Sequence, residues 1–75
     1  MERYKNRGGN SGVVSFEITA ESITIQFRDN SQYLYNTIRP GLTAVNRMKE
    51  LARAGLGLNS YISRSIRKNF YKKLR

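Results

Sequence analysis

With 75 residues the chain has room for one domain and a modest core, and its 14 Lys or Arg against five Asp or Glu leave a formal charge of +9. It contains no cysteine and no histidine, which excludes disulfides and Cys-type zinc sites and removes the commonest general base and metal ligand. The acids Glu2, Glu17, Glu21, Asp29 and Glu50 are scattered, so neither a carboxylate metal site nor an acid/base pair is expected.

Residues 1–12 combine three bases, three glycines and two asparagines with little to bury, a composition that predicts a flexible basic tail ahead of a single domain over 13–75. Arg7-Gly8-Gly9 is one RGG-like triplet, where RNA-binding segments repeat it. Gly8 to Gly12 lacks the lysine and preceding strand of a phosphate loop. Next come two runs of period two: Val14, Phe16, Ile18 and then Ile23, Ile25, Phe27. A two-residue turn at Ala20-Glu21 sets Ile18 opposite Ile23, Phe16 opposite Ile25 and Val14 opposite Phe27, all on one face. Ala20-Glu21 is not a favoured pair for a primed turn, so a longer or distorted turn stays open.

Asp29-Asn30-Ser31 signals a second turn, and a third strand runs from about Gln32 to Ile38. Two registers are open. A two-residue turn at Asp29-Asn30 places Leu34 beside Ile25. A three-residue turn with Asn30 left-handed places Tyr33 there instead, and it is preferred because tyrosine rings bury much apolar area while the hydroxyl reaches a polar partner. Pro40 suits the first turn of a helix whose apolar stripe is Leu42, Val45, Met48, Leu51 and Ala52, with Arg47, Lys49, Glu50 and Arg53 mostly outside it. Gly55 and Gly57 stop that helix. Asn59 or Ser60 caps a second one, predicted to reach Lys73 with Leu58, Ile62, Ile66 and Phe70 as its apolar stripe. The expected fold is α+β: a three-stranded antiparallel meander followed by two helices on one sheet face, β-β-β-α-α.

From Arg53 onward there are seven bases (Arg53, Arg64, Arg67, Lys68, Lys72, Lys73 and Arg75) and no acid. This asymmetry marks where an anion is attracted. No apolar run approaches the roughly 20 residues of a membrane span. The opening residues have no apolar signal core, so a cytoplasmic location is the default expectation.

Tyr33-Leu34-Tyr35, then Ile38-Arg39-Pro40, a helix, Gly55, Leu58-Asn59 and Ile62, and a basic stretch with Tyr71 follow one another in this order. The pattern resembles the KTSC domain, a small module found at the C-terminus of some lysyl-tRNA synthetases and as a stand-alone bacterial protein. The family's Tyr-x-Tyr falls on Tyr33 and Tyr35, and its Asn and Ile on Asn59 and Ile62. Leu58 stands where an aromatic is usual, and Arg39 separates the aliphatic residue from the proline. The resemblance spans about residues 13–72. It implies a small α+β domain without assigned activity, for which RNA binding has been suggested.

Candidate phosphate contacts are Arg53, Arg64, Arg67, Lys68, Lys72, Lys73 and Arg75, assisted by Arg3, Lys5 and Arg7. The same charges also suit a solvated helix face, and those near a helix C-terminus offset its dipole. Tyr33, Tyr35, Tyr61 and Tyr71 are candidates for stacking on bases, the first two weighed against a role in the core and the others against a place at its boundary. Serines are plentiful, but no histidine can activate them, so no enzyme, cofactor or metal is expected. The expectation is a non-enzymatic nucleic-acid-binding domain, RNA before DNA. The competing one is a protein-interaction module, such as a phage or plasmid accessory inhibitor that binds an acidic protein surface. A membrane partner is set aside, because the apolar helix face must cover the sheet.

Overall fold

A computed structural model describes residues 1–9 and 11–75. Asn10, inside the stretch expected as a tail, lies outside the described residues. The fold is α+β. Strands β1 (Glu2–Arg3), β2 (Val13–Ile18), β3 (Ser22–Phe27) and β4 (Gln32–Asn36) are followed by helix α1 (Leu42–Ala54), helix α2 (Leu58–Tyr61, continued by a π-helical stretch over Ile62–Ile66) and strand β5 (Lys72–Lys73). The strands form one antiparallel sheet in the order β1-β2-β3-β4-β5. Three central strands were expected, and two short edge strands are added to them.

The central hairpin has the expected register, with Ile18 opposite Ile23 and Phe16 opposite Ile25. A β-bulge between Val13 and Ser15 then brings Val13, rather than Val14, opposite Phe27. One extra residue reverses the facing of what precedes it. Val13 is therefore buried while Val14 stays 39% exposed. Asn30 has φ 70°, the turn closes through Phe27 N–H to the Ser31 carbonyl, and Tyr33 pairs with Ile25. The three-residue turn is the one formed, and it turns Tyr33 and Tyr35 toward the core.

That core contains Phe16, Ile23, Ile25 and Tyr35 from the sheet, Val45, Met48 and Ala52 from α1, and Leu58, Ile62 and Ile66 from α2. Fully burying an aliphatic or phenylalanine side chain of this kind stabilises the fold by about 1.5–3 kcal/mol. Glycines end the first helix as expected: Gly55 is left-handed at φ 73°, and its N–H bonds the Leu51 and Ala52 carbonyls.

Five expectations are corrected. Tyr4, in the supposed tail, is only 4% exposed; its hydroxyl accepts a hydrogen bond from Leu58 N–H at 3.2 Å, and Glu2–Arg3 pair with β2. One aromatic is enough to anchor a segment of poor average hydropathy. Lys49 lies inside the fold at 7% exposure, whereas Leu42 of the expected stripe is 57% exposed. Pro40 precedes α1, with Gly41 at the cap position. Helix α2 is capped by neither Asn59 nor Ser60: Gly57 precedes it, without a side-chain cap.

The fifth correction concerns the basic helix. It does not reach Lys73. Its helical turns end at Ile66, and Arg67 takes φ 53°. The chain then folds back along β4, with Tyr71 N–H on the Leu34 carbonyl at 2.8 Å and Leu74 N–H on the Gln32 carbonyl at 2.7 Å. Edge groups of β4 would otherwise lack these protein partners. Phe70 keeps its apolar contact from a turn, its ring centroid 4.6 Å from that of Tyr33.

Candidate functional site

The seven cations expected on one helical face are distributed over several elements. Arg53 sits in the last turn of α1. Arg64 is exposed on the π-helical stretch, and Arg67 and Lys68 occupy the turn that follows. Lys72 pairs with Leu34 and Lys73 with Tyr33, so the two lysines project to opposite faces of β5. Arg75 lies beside Gln32, the carbonyl of each accepting from the N–H of the other at 3.2 and 3.3 Å. A single helical docking face is therefore absent. What remains is a cationic rim, from Arg64 through the turn to the β5 edge, in which residues 71–75 are all exposed.

This rim is held in place by side chains as well as by the sheet. Arg39 Nε donates to Asn69 Oδ1 at 3.0 Å, tying the segment before α1 to the turn after α2. Lys73 Nζ stands 5.7 Å from the centroid of Tyr33, within cation–π range. Hydrogen bonds from Ser31 hold the Asp29 carboxyl below its ordinary value, with the charge of Lys73 a minor contribution.

Of the four tyrosines, Tyr35 is 2% exposed and has no ring face to offer a base. Burial first, and the neighbouring Tyr33 second, push its hydroxyl up to about 12. Tyr33 is half-buried, edge-on to Phe27 and Phe70, and its ring belongs to an aromatic chain closed by Lys73. Tyr61 is half-buried at the core boundary. Tyr71 is 47% exposed and, of the four, has the most ring surface open to a ligand.

The sheet face turned away from the helices carries Ser15, Glu17, Thr24, Gln26, Gln32 and Leu34, by strand alternation from the buried set. It is mostly polar, with Arg3 and Lys72 at its two edges. Among the described residues a single ion pair forms, Arg47 to Glu50 at 4.0 Å, and it is exposed. Among the described residues the other Lys and Arg side chains have no carboxylate within that distance.

Cations of the first seven residues take structural places that composition concealed. Arg7 Nε donates to the Ala54 carbonyl at 3.0 Å, and Arg7 N–H donates to the Gly55 carbonyl at 2.7 Å. Arg7 thus covers the negative end of α1, beside Arg53. Arg3 and Lys5, with Arg28, line a cavity of about 330 Å³ at the β1 edge. Arg28 was not among the sequence candidates for binding, because its approach to Lys5 depends on how β1 docks.

Among the described residues no helix is long and apolar enough to cross a membrane, and no group of three or more metal-ligating side chains gathers. No family model, curated protein or solved structure matches the chain. The KTSC resemblance rests on the quoted residues alone.

Proposed function

We propose that this chain is a non-enzymatic nucleic-acid-binding domain that takes single-stranded RNA in preference to duplex DNA, with little sequence preference. Arg64, Arg67, Lys68, Lys72, Lys73 and Arg75 contact phosphates along the rim, and Tyr71 stacks on a base. The observation that carries the reading is that a formal charge of +9 is met, among the described residues, by a single exposed ion pair. A surface built only for solubility needs no such excess, and interspersed signs serve it well. Cations spread over a turn and both faces of β5 suit a flexible single strand, which bends to follow them, better than a duplex groove. The KTSC resemblance and a cytoplasmic location belong to the same proposal.

The test is a gel-shift titration with random-sequence single-stranded RNA at several salt concentrations. Engaging four to six phosphates gives a log–log salt slope of about −3 to −4 for a single strand. The double substitution Arg67→Glu with Lys68→Glu weakens binding and flattens the slope. No shift at low salt overturns the reading. Selective capture of one acidic protein, with RNA ignored, establishes the interaction-module alternative instead.

A further inference from the structure

We propose a second, discrete anion site at the opposite edge of the sheet, in the cavity between β1 and the β2 bulge, that takes a phosphomonoester. It is separate from the β5 rim and does not rest on the nucleic-acid reading. The cavity of about 330 Å³ is lined by Arg3, Lys5, Asn6, Ser11 and Arg28, with Tyr4, Val13 and Val14 completing its wall. Among the described residues no carboxylate lines it. Its volume is at the lower end of the roughly 300–1,000 Å³ typical of small-ligand sites, larger than a bare phosphate needs.

Two side chains at this site each accept one backbone hydrogen bond. Asn6 Oδ1 accepts from Ser11 N–H at 3.1 Å, and Ser11 Oγ accepts from Val13 N–H at 3.0 Å. These bonds orient both side chains and leave their donors, the Asn6 amide hydrogens and the Ser11 hydroxyl hydrogen, uncommitted. Three cations and two donors around one cavity suit a dianion better than the single charge of an internal phosphodiester. The walls are built rather than incidental. Tyr4 is buried and bonded to Leu58, the Gly12 carbonyl accepts from Arg28 N–H at 2.9 Å, and the bulge aligns Val13 with Phe27 while leaving Val14 exposed at the rim.

A phosphomonoester has two natural sources, a free mononucleotide or the 5′ end of a strand. Amide-resolved NMR titration of the full chain separates them, using adenosine monophosphate, adenosine, and an oligonucleotide with and without a 5′-phosphate. The expected result is saturable shifts centred on Asn6, Ser11, Val13, Val14 and Arg28 with the monophosphate and none with adenosine. If the strand end is the ligand, the 5′-phosphorylated oligonucleotide binds tighter than the mononucleotide. If the free nucleotide is, the order reverses. Arg28→Gln weakens the affinity for adenosine monophosphate about tenfold, the scale of one charge-assisted hydrogen bond, and Lys72→Gln with Lys73→Gln, which changes only the strand-binding rim, leaves the affinity for this mononucleotide unchanged. Spectra of both variants in the absence of ligand report whether the fold is intact. Shifts spread equally over the β5 rim, equal response to adenosine, or no saturation overturn the proposal. The gel-shift slope of the rim is measured separately, so either site fails without the other.

Discussion

Lys49 Nζ donates a hydrogen bond of 2.8 Å to the carbonyl oxygen of Thr19, 30 residues earlier in the chain, and a second of 3.0 Å to that of Ala20. A helix residue thereby holds the turn between β2 and β3. Neither Ala20 nor Glu21 has positive φ, so this is not the primed turn that suits a two-residue hairpin. The ammonium group compensates by binding the turn carbonyls. Lys49→Met keeps most of the aliphatic stem and removes the donor. It is expected to cost about 1.5–3 kcal/mol, the range for hydrogen bonds to a charged group, read as a lower urea midpoint at unchanged slope. An unchanged midpoint shows that water serves the carbonyls equally well.

The first residues act as part of the core. Tyr4→Phe removes one hydrogen bond, to Leu58 N–H, and is expected to cost about 0.5–1.5 kcal/mol. Tyr4→Ala also empties the space of a nearly buried ring and is expected to cost about 3–5 kcal/mol. Thermal unfolding of the two variants separates hydrogen bond from packing. If Tyr4→Ala unfolds like the parent chain, the N-terminal segment is not docked in solution.

Gly55 is protected twice. Its φ of 73° is left-handed, and an added Cβ would meet Lys5 Cβ at 2.6 Å. Gly55→Ala therefore combines backbone strain of roughly 1–2 kcal/mol with displacement of the segment that carries Tyr4. A Gly55→Ala chain as stable as the parent would show that Lys5 and the segment around it yield freely.

Arg67 has φ 53° without being glycine or asparagine. Such backbone costs of order 1–3 kcal/mol and persists where something else requires it. Arg67→Gly is expected to raise stability while lowering RNA affinity, a divergence that a purely structural residue does not produce. Loss of stability on this substitution would show that the arginine side chain holds the turn.

Titration places the limits of stability at the extremes of pH. Tyr35 has its hydroxyl pushed up from 10.0 to about 12 by burial and by Tyr33. Its folded value is above its unfolded one, so its contribution is complete below pH 10 and disappears as pH rises from 10 toward 12. Asp29 has the opposite sign: hydrogen bonds from Ser31 lower it below 3.8, so its contribution holds above that value and is lost as pH falls through the lowered range. With no histidine in the chain, the midpoint of unfolding should be nearly constant between roughly pH 5 and 9. A large step near pH 6.5 would contradict this.

Much of the sheet was legible from residue order. Alternation in Phe16–Ile18 and Ile23–Phe27 set the central register, and Asn30 is a residue that tolerates the left-handed turn that turns Tyr33 inward. Gly55 marked where α1 stops. The candidate site was less legible. Leu58, Ile62, Ile66 and Phe70 repeat every four residues, and helical spacing continued through a point where the backbone turns. A turn returned Phe70 to the core just as a helix would have, so the pattern did not distinguish the two.

What the chain order alone determined is the apolar alternation of the middle strands, the charge excess and the absence of histidine and cysteine chemistry, because these depend on side-chain type and local period. The tertiary structure decided where the cations stand, that Tyr4 belongs to the core, and that Arg3, Lys5 and Arg28 meet around one cavity. These depend on pairing between distant segments. Open edge groups on β4 and β2 take up whichever backbone can reach them, and no local period announces which segment that will be.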